Sequence, residues 1–269
     1  MKITIAIPVY NAELYLSQAI KSVLDQSYKE FKLIIINDGS SDNSMKIARE
    51  FNDSRIKIIN DNLNKGLQYR LNQIIKLTDT PFLARMDADD IMHPERIKKQ
   101  IEVFEEYPEI DVLGTNAYTI DGDNNVVGIR FIQGEEVLKK VTGFIHPTVM
   151  ARTSWFYNNL YDENAIRIED AELWYRTASK YKFMMITEPL LFYREIGNKY
   201  YKKYFLANCS KSYILRKYKN NFFWKIFFMK NKFKGIIYWI FNIFGKEKIL
   251  IKNRNEIIFK KKKNINSLI

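Results

Sequence analysis

Short apolar runs alternate with amphipathic stretches through the first 110 residues of this chain. Residues 3–9, 33–37, 56–59 and 82–86 are nearly continuous in apolar side chains, which predicts buried strands. Residues 12–26, 41–51, 67–77 and 94–107 carry their apolar positions at helical spacing. That alternation predicts an α/β fold built on a parallel sheet covered on both faces. Asn11 and Ser41 are placed to cap helix starts, Gly66 opens the third helix, and Pro94 suits the first turn of the fourth. Beyond Pro108 the rhythm changes. Residues 112–120, a polar turn at 121–125, and residues 126–132 read as a hairpin, so the second half is expected to hold mixed strands. The turn is not a calcium loop, because Val126 stands at the required glycine position and Ile132 at that of the bidentate glutamate.

Composition adds a division the hydropathy pattern does not show. The 269 residues are 46% hydrophobic and 28% charged, a globular balance. The net charge of +12 is unevenly spread: residues 1–200 hold 25 Lys and Arg against 29 Asp and Glu, and residues 201–269 hold 18 against 2. Such a split predicts two regions with different partners, residues 1–200 as one domain and 201–269 as a basic aromatic helical tail. A single cysteine, Cys209, leaves no internal disulfide and no cysteine cluster for zinc, so a reducing, cytoplasmic setting is expected. The first residues show no signal-peptide pattern.

Asp87-Ala88-Asp89-Asp90 follows the fourth predicted strand, at the sheet edge where open α/β folds bind ligands. Clustered carboxylates repel unless a cation neutralises them, and a hard divalent ion with oxygen ligands suits them. Taken alone, the cluster is equally compatible with a solvated acidic turn. No Gly-x-Gly-x-x-Gly follows the first strand and no P-loop occurs, which disfavours dinucleotide dehydrogenases and P-loop NTPases. The first strand ends in Pro8-Val9-Tyr10-Asn11 and the second in Asn37-Asp38-Gly39-Ser40-Ser41-Asp42. An amide, a carboxylate and a metal-ready cluster along one edge suit a nucleotide whose base needs hydrogen bonds and whose diphosphate needs a cation.

These motifs, with Asn64-Lys65-Gly66-Leu67, Arg85-Met86-Asp87-Ala88-Asp89-Asp90, His146-Pro147-Thr148 and Glu169-Asp170-x-Glu172-Leu173-Trp174, occur in the order seen in family-two glycosyltransferases. The chain resembles that family over about residues 3–195. The resemblance implies a GT-A fold and an inverting hexosyl- or hexosaminyl-transferase using a nucleotide-diphosphate sugar, UDP favoured. It implies that Asp38 hydrogen-bonds the base, that Pro8, Tyr10 and Gly66 help form the nucleotide site, and that Asp87 and Asp89 form an Asp-x-Asp motif. Asp89 would hold Mn2+ or Mg2+, and Asp87 would contact the ribose or the metal's water shell. Inversion also needs a base to take the proton of the attacking hydroxyl. The family motif places it at Asp170, with Glu169 orienting the acceptor. Alone, such a pair also reads as a helix start favoured by the dipole. His146 and Trp174 are expected on the acceptor side, although a lone histidine is more often structural and Trp174 has the spacing of a core residue. Arg70 precedes Leu71 where many relatives have Arg-Asn, so it is expected to be displaced from the nucleotide side.

In the tail, lysines interleave with Phe222-Phe223-Trp224, Ile226-Phe227-Phe228 and residues 236–241. No apolar run approaches the roughly 20 residues that span a bilayer. Basic helices with bulky aromatic faces lie in the membrane interface, held by insertion and by anionic lipid. Packing on the catalytic domain is the alternative; nucleic acid is disfavoured because no recognised binding module is present. A lipid-linked oligosaccharide or lipopolysaccharide acceptor at the inner face of the bacterial cytoplasmic membrane would join pocket and tail. Two other function classes remain open at this point. A metal-dependent sugar nucleotidyltransferase shares the sheet and carboxylates but lacks its Gly-rich basic loop here. A non-catalytic binding protein would leave Asp89 or Asp170 idle.

Overall fold

The computed structural model describes residues 2–130, 144–195 and 199–269. Strands β1 (Ile3–Val9), β2 (Phe31–Asn37), β3 (Ile56–Ile59) and β4 (Phe82–Arg85) run parallel in the spatial order β3-β2-β1-β4. Helices α1 (Leu16–Leu24), α2 (Ser44–Arg49) and α3 (Leu67–Leu77) fall between them in the chain. Both faces of the sheet are buried, as the continuous apolar runs require. Ile3, Ile5, Ile7 and Val9 pack with α1 through Leu16, Ala19, Ile20 and Val23. Ala6 points to the opposite face, with Ile34, Ile36 and the α3 residues Leu71, Ile74 and Ile75. The two-residue period of a strand sends alternate side chains into two different cores.

The expected caps are not formed. Asn11 takes a left-handed backbone, φ 48°, and its Oδ1 accepts the Ser41 N–H at 2.8 Å. Residues 12–15 are held as a turn, with the Ala12 N–H on Ser44 Oγ at 2.8 Å and the Glu13 N–H on Asp42 Oδ2 at 3.0 Å. α1 therefore starts later than predicted, and the loops after β1 and β2 are tied together at the sheet edge.

The second half is mixed, as expected. After β5 (Ile91–Met92) and α4 (Arg96–Glu106) come β6 (Val112–Ile120) and β7 (Asn125–Ile129), an antiparallel hairpin. Residues 131 and 132 of the expected second strand lie outside the described residues. β8 (Met150–Arg152) pairs antiparallel with both β4 and β6. Then α5 (Thr153–Asn158) and α6 (Glu169–Thr177) lead to β9 (Phe183–Arg194), parallel to β6 and antiparallel to β5.

The tail forms α7 (Tyr201–Ala207), α8 (Lys211–Lys217), α9 (Phe222–Ile243), α10 (Glu247–Lys252) and β10 (Ile257–Asn264). It is not all helix: β10 pairs antiparallel with β7 and extends the sheet, which has ten strands among the described residues. Trp224 and Phe228 of α9 are buried with Ala165 and Ile168, and Phe223 stacks on Tyr175 at 4.9 Å. Residue 200 is thus no break in the packing. Among the described residues no helix is long and apolar enough to cross a membrane.

Candidate active site

The C-terminal ends of β1, β2 and β4 lie side by side, because these strands are neighbours and parallel. Pro8, Tyr10, Asp38, Asp87 and Asp89 come together there and, with Gly66, line a cavity of about 520 Å3. A wider cavity of about 630 Å3 adjoins it, sharing Asp87, Asp89, Arg167 and Glu169 and adding His146 and Asp170. Trp174 lines neither cavity, and its ring lies 6.0 Å from that of His146, which lines the wider one. Helical rotation turns it from the cleft into the core, where it stacks on Trp155 at 6.1 Å and meets Phe144 and Phe183.

Asp38 is buried with its charge fully engaged. Its Oδ1 accepts the Lys65 N–H at 2.8 Å and Arg70 Nε at 3.0 Å, and both oxygens accept the Gly66 N–H at 3.1 Å. Gly66 stands at φ 87°, a region that favours glycine. Gly39 is needed for space as well, since a Cβ there would lie 2.6 Å from Asn64 N. Arg70 is not displaced from this corner. It is fully buried and also binds Asp61, with Nη2 to Oδ1 at 2.6 Å, and the Leu63 carbonyl. The available signal was its place four residues after Gly66, one turn into α3.

The acidic cluster is graded from cleft to interior. Arg85 Nη2 pairs with Asp87 Oδ1 at 2.7 Å, Asp89 opens on the cleft, and Asp90 is buried behind them. Asp90 Oδ1 accepts the Arg194 N–H at 2.8 Å, while Oδ2 is buried and has no hydrogen-bond partner among the described residues. Enclosure by the cleft wall and then the charge of Asp87 push the Asp89 carboxyl up to about 6. Burial and then Asp89 hold the Asp90 carboxyl well above the ordinary range. Ligand oxygens of the three residues lie within 4.8 Å of one another. An all-oxygen set with an orphaned buried oxygen and raised acids fits a hard divalent cation.

Glu169 and Asp170 open α6, where the helix start favours negative charge. Glu169 accepts Gln68 Nε2 at 3.0 Å, and Asp170 Oδ1 accepts the Ala171 N–H at 2.7 Å. Burial and then the neighbouring Asp170 push Glu169 up to about 7. Burial also raises Asp170, opposed by the Ala171 N–H and the Arg85 charge. Glu169 borders both cavities, whereas Asp170 borders only the wider one. His146 lines the wider cavity, its Nε2 2.8 Å from Tyr161 Oη. Burial, then the Arg85 charge, holds its imidazole well below its ordinary value and therefore neutral. Arg85, quoted above with the acidic motif, also lines the cleft, as do Arg130, Arg167, Arg194, Lys203 and Arg254, which were not singled out in the sequence. Isolated basic residues far apart in a chain give no pattern until folding gathers them.

A family model described as glycosyl transferase family 2 matches residues 4–218. The chain is 33% identical over 185 residues to the putative glycosyltransferase EpsE of Bacillus subtilis, covering 65% of this chain and 66% of that protein. It is 33% identical over 135 residues to WfgD of Escherichia coli, a UDP-Glc:alpha-D-GlcNAc-diphosphoundecaprenol beta-1,3-glucosyltransferase, covering 50% and 52%. Residues 1–349 of S. aureus TarS in complex with UDP superpose with a TM-score of 0.63 at 19% identity, covering 78% of this chain and 65% of that one. The chain thus spans about two-thirds of the length of EpsE and of that TarS structure. The likeness to TarS is one of fold, the GT-A arrangement of a mixed sheet between helices.

Proposed function

This chain belongs to glycosyl transferase family 2, and from that premise we propose that it is a metal-dependent, inverting glycosyltransferase. It moves a hexosyl or hexosaminyl unit from a nucleotide-diphosphate sugar, UDP favoured, to a hydroxyl of a lipid-linked oligosaccharide or lipopolysaccharide acceptor. The observation that carries this reading is a pair of adjoining cavities that share Asp87 and Asp89, with Asp38 lining only the one and Asp170 only the other. The nucleotide lies along Pro8, Tyr10, Asp38 and Gly66, and the sugar extends past Asp89 toward Asp170. Asp170 takes the proton of the acceptor hydroxyl as its oxygen attacks the anomeric carbon from the face opposite the departing diphosphate. Glu169 orients that hydroxyl. Asp89 and Asp87 would hold Mn2+ or Mg2+, which when bound supplies positive charge to the leaving diphosphate. WfgD's diphosphoundecaprenol-linked acceptor supports a lipid-linked acceptor, and the UDP complex of TarS supports a uridine donor. The exposed aromatic face of α9, with the lysines around it, supports a site of action at an anionic membrane surface.

The test is a screen of UDP-, GDP- and dTDP-sugars with the full chain and Mn2+ or Mg2+. Acceptor-dependent release of a nucleoside diphosphate is expected, with UDP-sugars leading. Sugar-nucleotide synthesis from a nucleoside triphosphate and sugar phosphate would mark a nucleotidyltransferase instead. No turnover with any donor and extracted lipid-linked acceptors would overturn the reading.

A further inference from the structure

The wider cavity gathers cations beside its carboxylates, and one of them, Arg167, borders the cavity with Asp38 as well. Arg130, Arg167, Arg194, Lys203 and Arg254 all line the wider cavity. Arg194 is occupied by the carbonyl oxygens of Asp89 and Asp121, at 2.6 and 2.9 Å, and by Asn124. Arg130 and Arg254 share one buried carboxylate, Glu195, which lies 2.8 Å from Arg130 Nη1. One negative charge between two guanidiniums leaves a positive charge over. Lys203 Nζ rests 4.1 Å above the Tyr200 ring, and among the described residues neither Lys203 nor Arg167 has a carboxylate within ion-pair distance. Lys203 is exposed on this cavity, where enclosure by its walls first, and then the charges of Arg167 and Arg254, depress its ammonium below the ordinary value. Arg85, on the same cavity and 6% exposed, gives Nη2 to Asp87 and, among the described residues, leaves Nε and Nη1 without hydrogen-bond partners. Cations gathered without counter-charge are stabilised when an anion binds among them, and phosphate oxygens suit both guanidinium and ammonium donors.

Which phosphate these cations meet follows from the layout. Arg130, Tyr200, Lys203 and Arg254 border only the wider cavity, and none borders the cavity with Pro8, Tyr10 and Asp38. Lys203 stands on α7 and Arg254 follows α10, so the C-terminal region builds this end of the cleft. We propose that Lys203, Arg167 and Arg254 form a phosphate subsite for the acceptor, which places a phosphate or diphosphate group against them while its sugar hydroxyl lies at Asp170. The proposal rests on the transferase reading above and adds the charge that the acceptor must carry inside the cleft.

Calorimetry on the full chain tests it. With the Asp38 cavity filled by saturating UDP and Mg2+, farnesyl diphosphate, glycerol 3-phosphate and farnesol are titrated in turn. At least one phosphate-bearing probe is expected to bind ten times or more tighter than farnesol. Farnesyl diphosphate leading points to a lipid diphosphate, and glycerol 3-phosphate leading to a phosphodiester polymer. Lys203→Met should weaken that probe tenfold or more and Lys203→Arg should restore most of the loss, with UDP affinity changing less than twofold in both. The proposal is overturned if no phosphate probe outbinds farnesol, or if Lys203→Met costs UDP its affinity while sparing the probes, which would make Lys203 a clamp on the donor. Phosphate binding without transfer from any sugar nucleotide would instead remove the transferase reading and leave the subsite standing.

Discussion

Asp38 and Arg70 stand 32 positions apart, yet they form one charged corner with Arg70 wholly buried. A buried guanidinium stripped of its partners is costly, and so are carboxylates stripped of it. Arg70→Ala is expected to lower the unfolding free energy by about 3–5 kcal/mol, measured by urea denaturation, and to weaken UDP binding because Asp38 loses its anchor. A variant as stable as the parent would show the corner to be solvated. At the other end, Asp170→Asn keeps the shape and removes the proposed base. Transfer should fall by about 10²–10⁴-fold, while calorimetric UDP affinity stays within about twofold of the parent. The same pair sets a pH dependence. Burial raises both carboxyls, Glu169 to about 7, so protons return to the pair as pH falls through neutrality. The proposed base works only when deprotonated, so kcat/KM should already decline on the acid side at a pH above the ordinary carboxylate range. A decline delayed to pH 4–5, the ordinary carboxylate range, would sink the assignment. The acids were legible because they stand adjacent in motifs, whereas Arg70 and Lys203 acquire meaning only from what they touch.

Among the elements, the four parallel strands were the most legible, since a strand buried on both faces is nearly continuous in apolar residues. Helix starts were the least. Asn11 and Ser41 have capping chemistry but bond to each other across two loops instead. Trp174 shows the same limit: Leu173 and Trp174 are both apolar, and only the angle at which α6 docks on Trp155 and Phe183 sends Trp174 to the core. α9 is two-faced in a way its sequence hides, because aromatics occupy both sides. Trp224 and Phe228 are buried against the catalytic unit and Tyr238 against Tyr200, Tyr204 and Ile251, while Phe222 is 74% and Phe244, just past the helix, 71% exposed. Trp224→Ala should cost about 3–5 kcal/mol, read as a lowered urea midpoint. A loss near zero would mean that α9 is not docked in solution.

The whole molecule joins a slightly acidic catalytic face to a strongly basic end. The outer face of α9 exposes Phe233, Ile237, Trp239, Ile240 and Ile243, with Lys225, Lys230, Lys232 and Lys234 toward its start. The full chain is therefore expected to sediment with vesicles containing phosphatidylglycerol and not with phosphatidylcholine alone. Serine at both Trp239 and Phe244 should weaken that binding at least tenfold, each aromatic contributing ~1.5–3 kcal/mol when buried; unchanged sedimentation would refute the membrane role. Cutting the chain at residue 200 would be a poor version of this experiment, because it also removes Lys203, Arg254 and β10. By itself the sequence determined the parallel half of the sheet, the acidic motifs at its edge and the basic tail, all carried by local spacing and composition. Only the tertiary structure decided that the tail walls the cleft, that Arg70 anchors Asp38, and that scattered cations converge near Asp170. Those are contacts between distant segments, and side-chain identity along the chain does not encode them until the sheet and its helices set the distances.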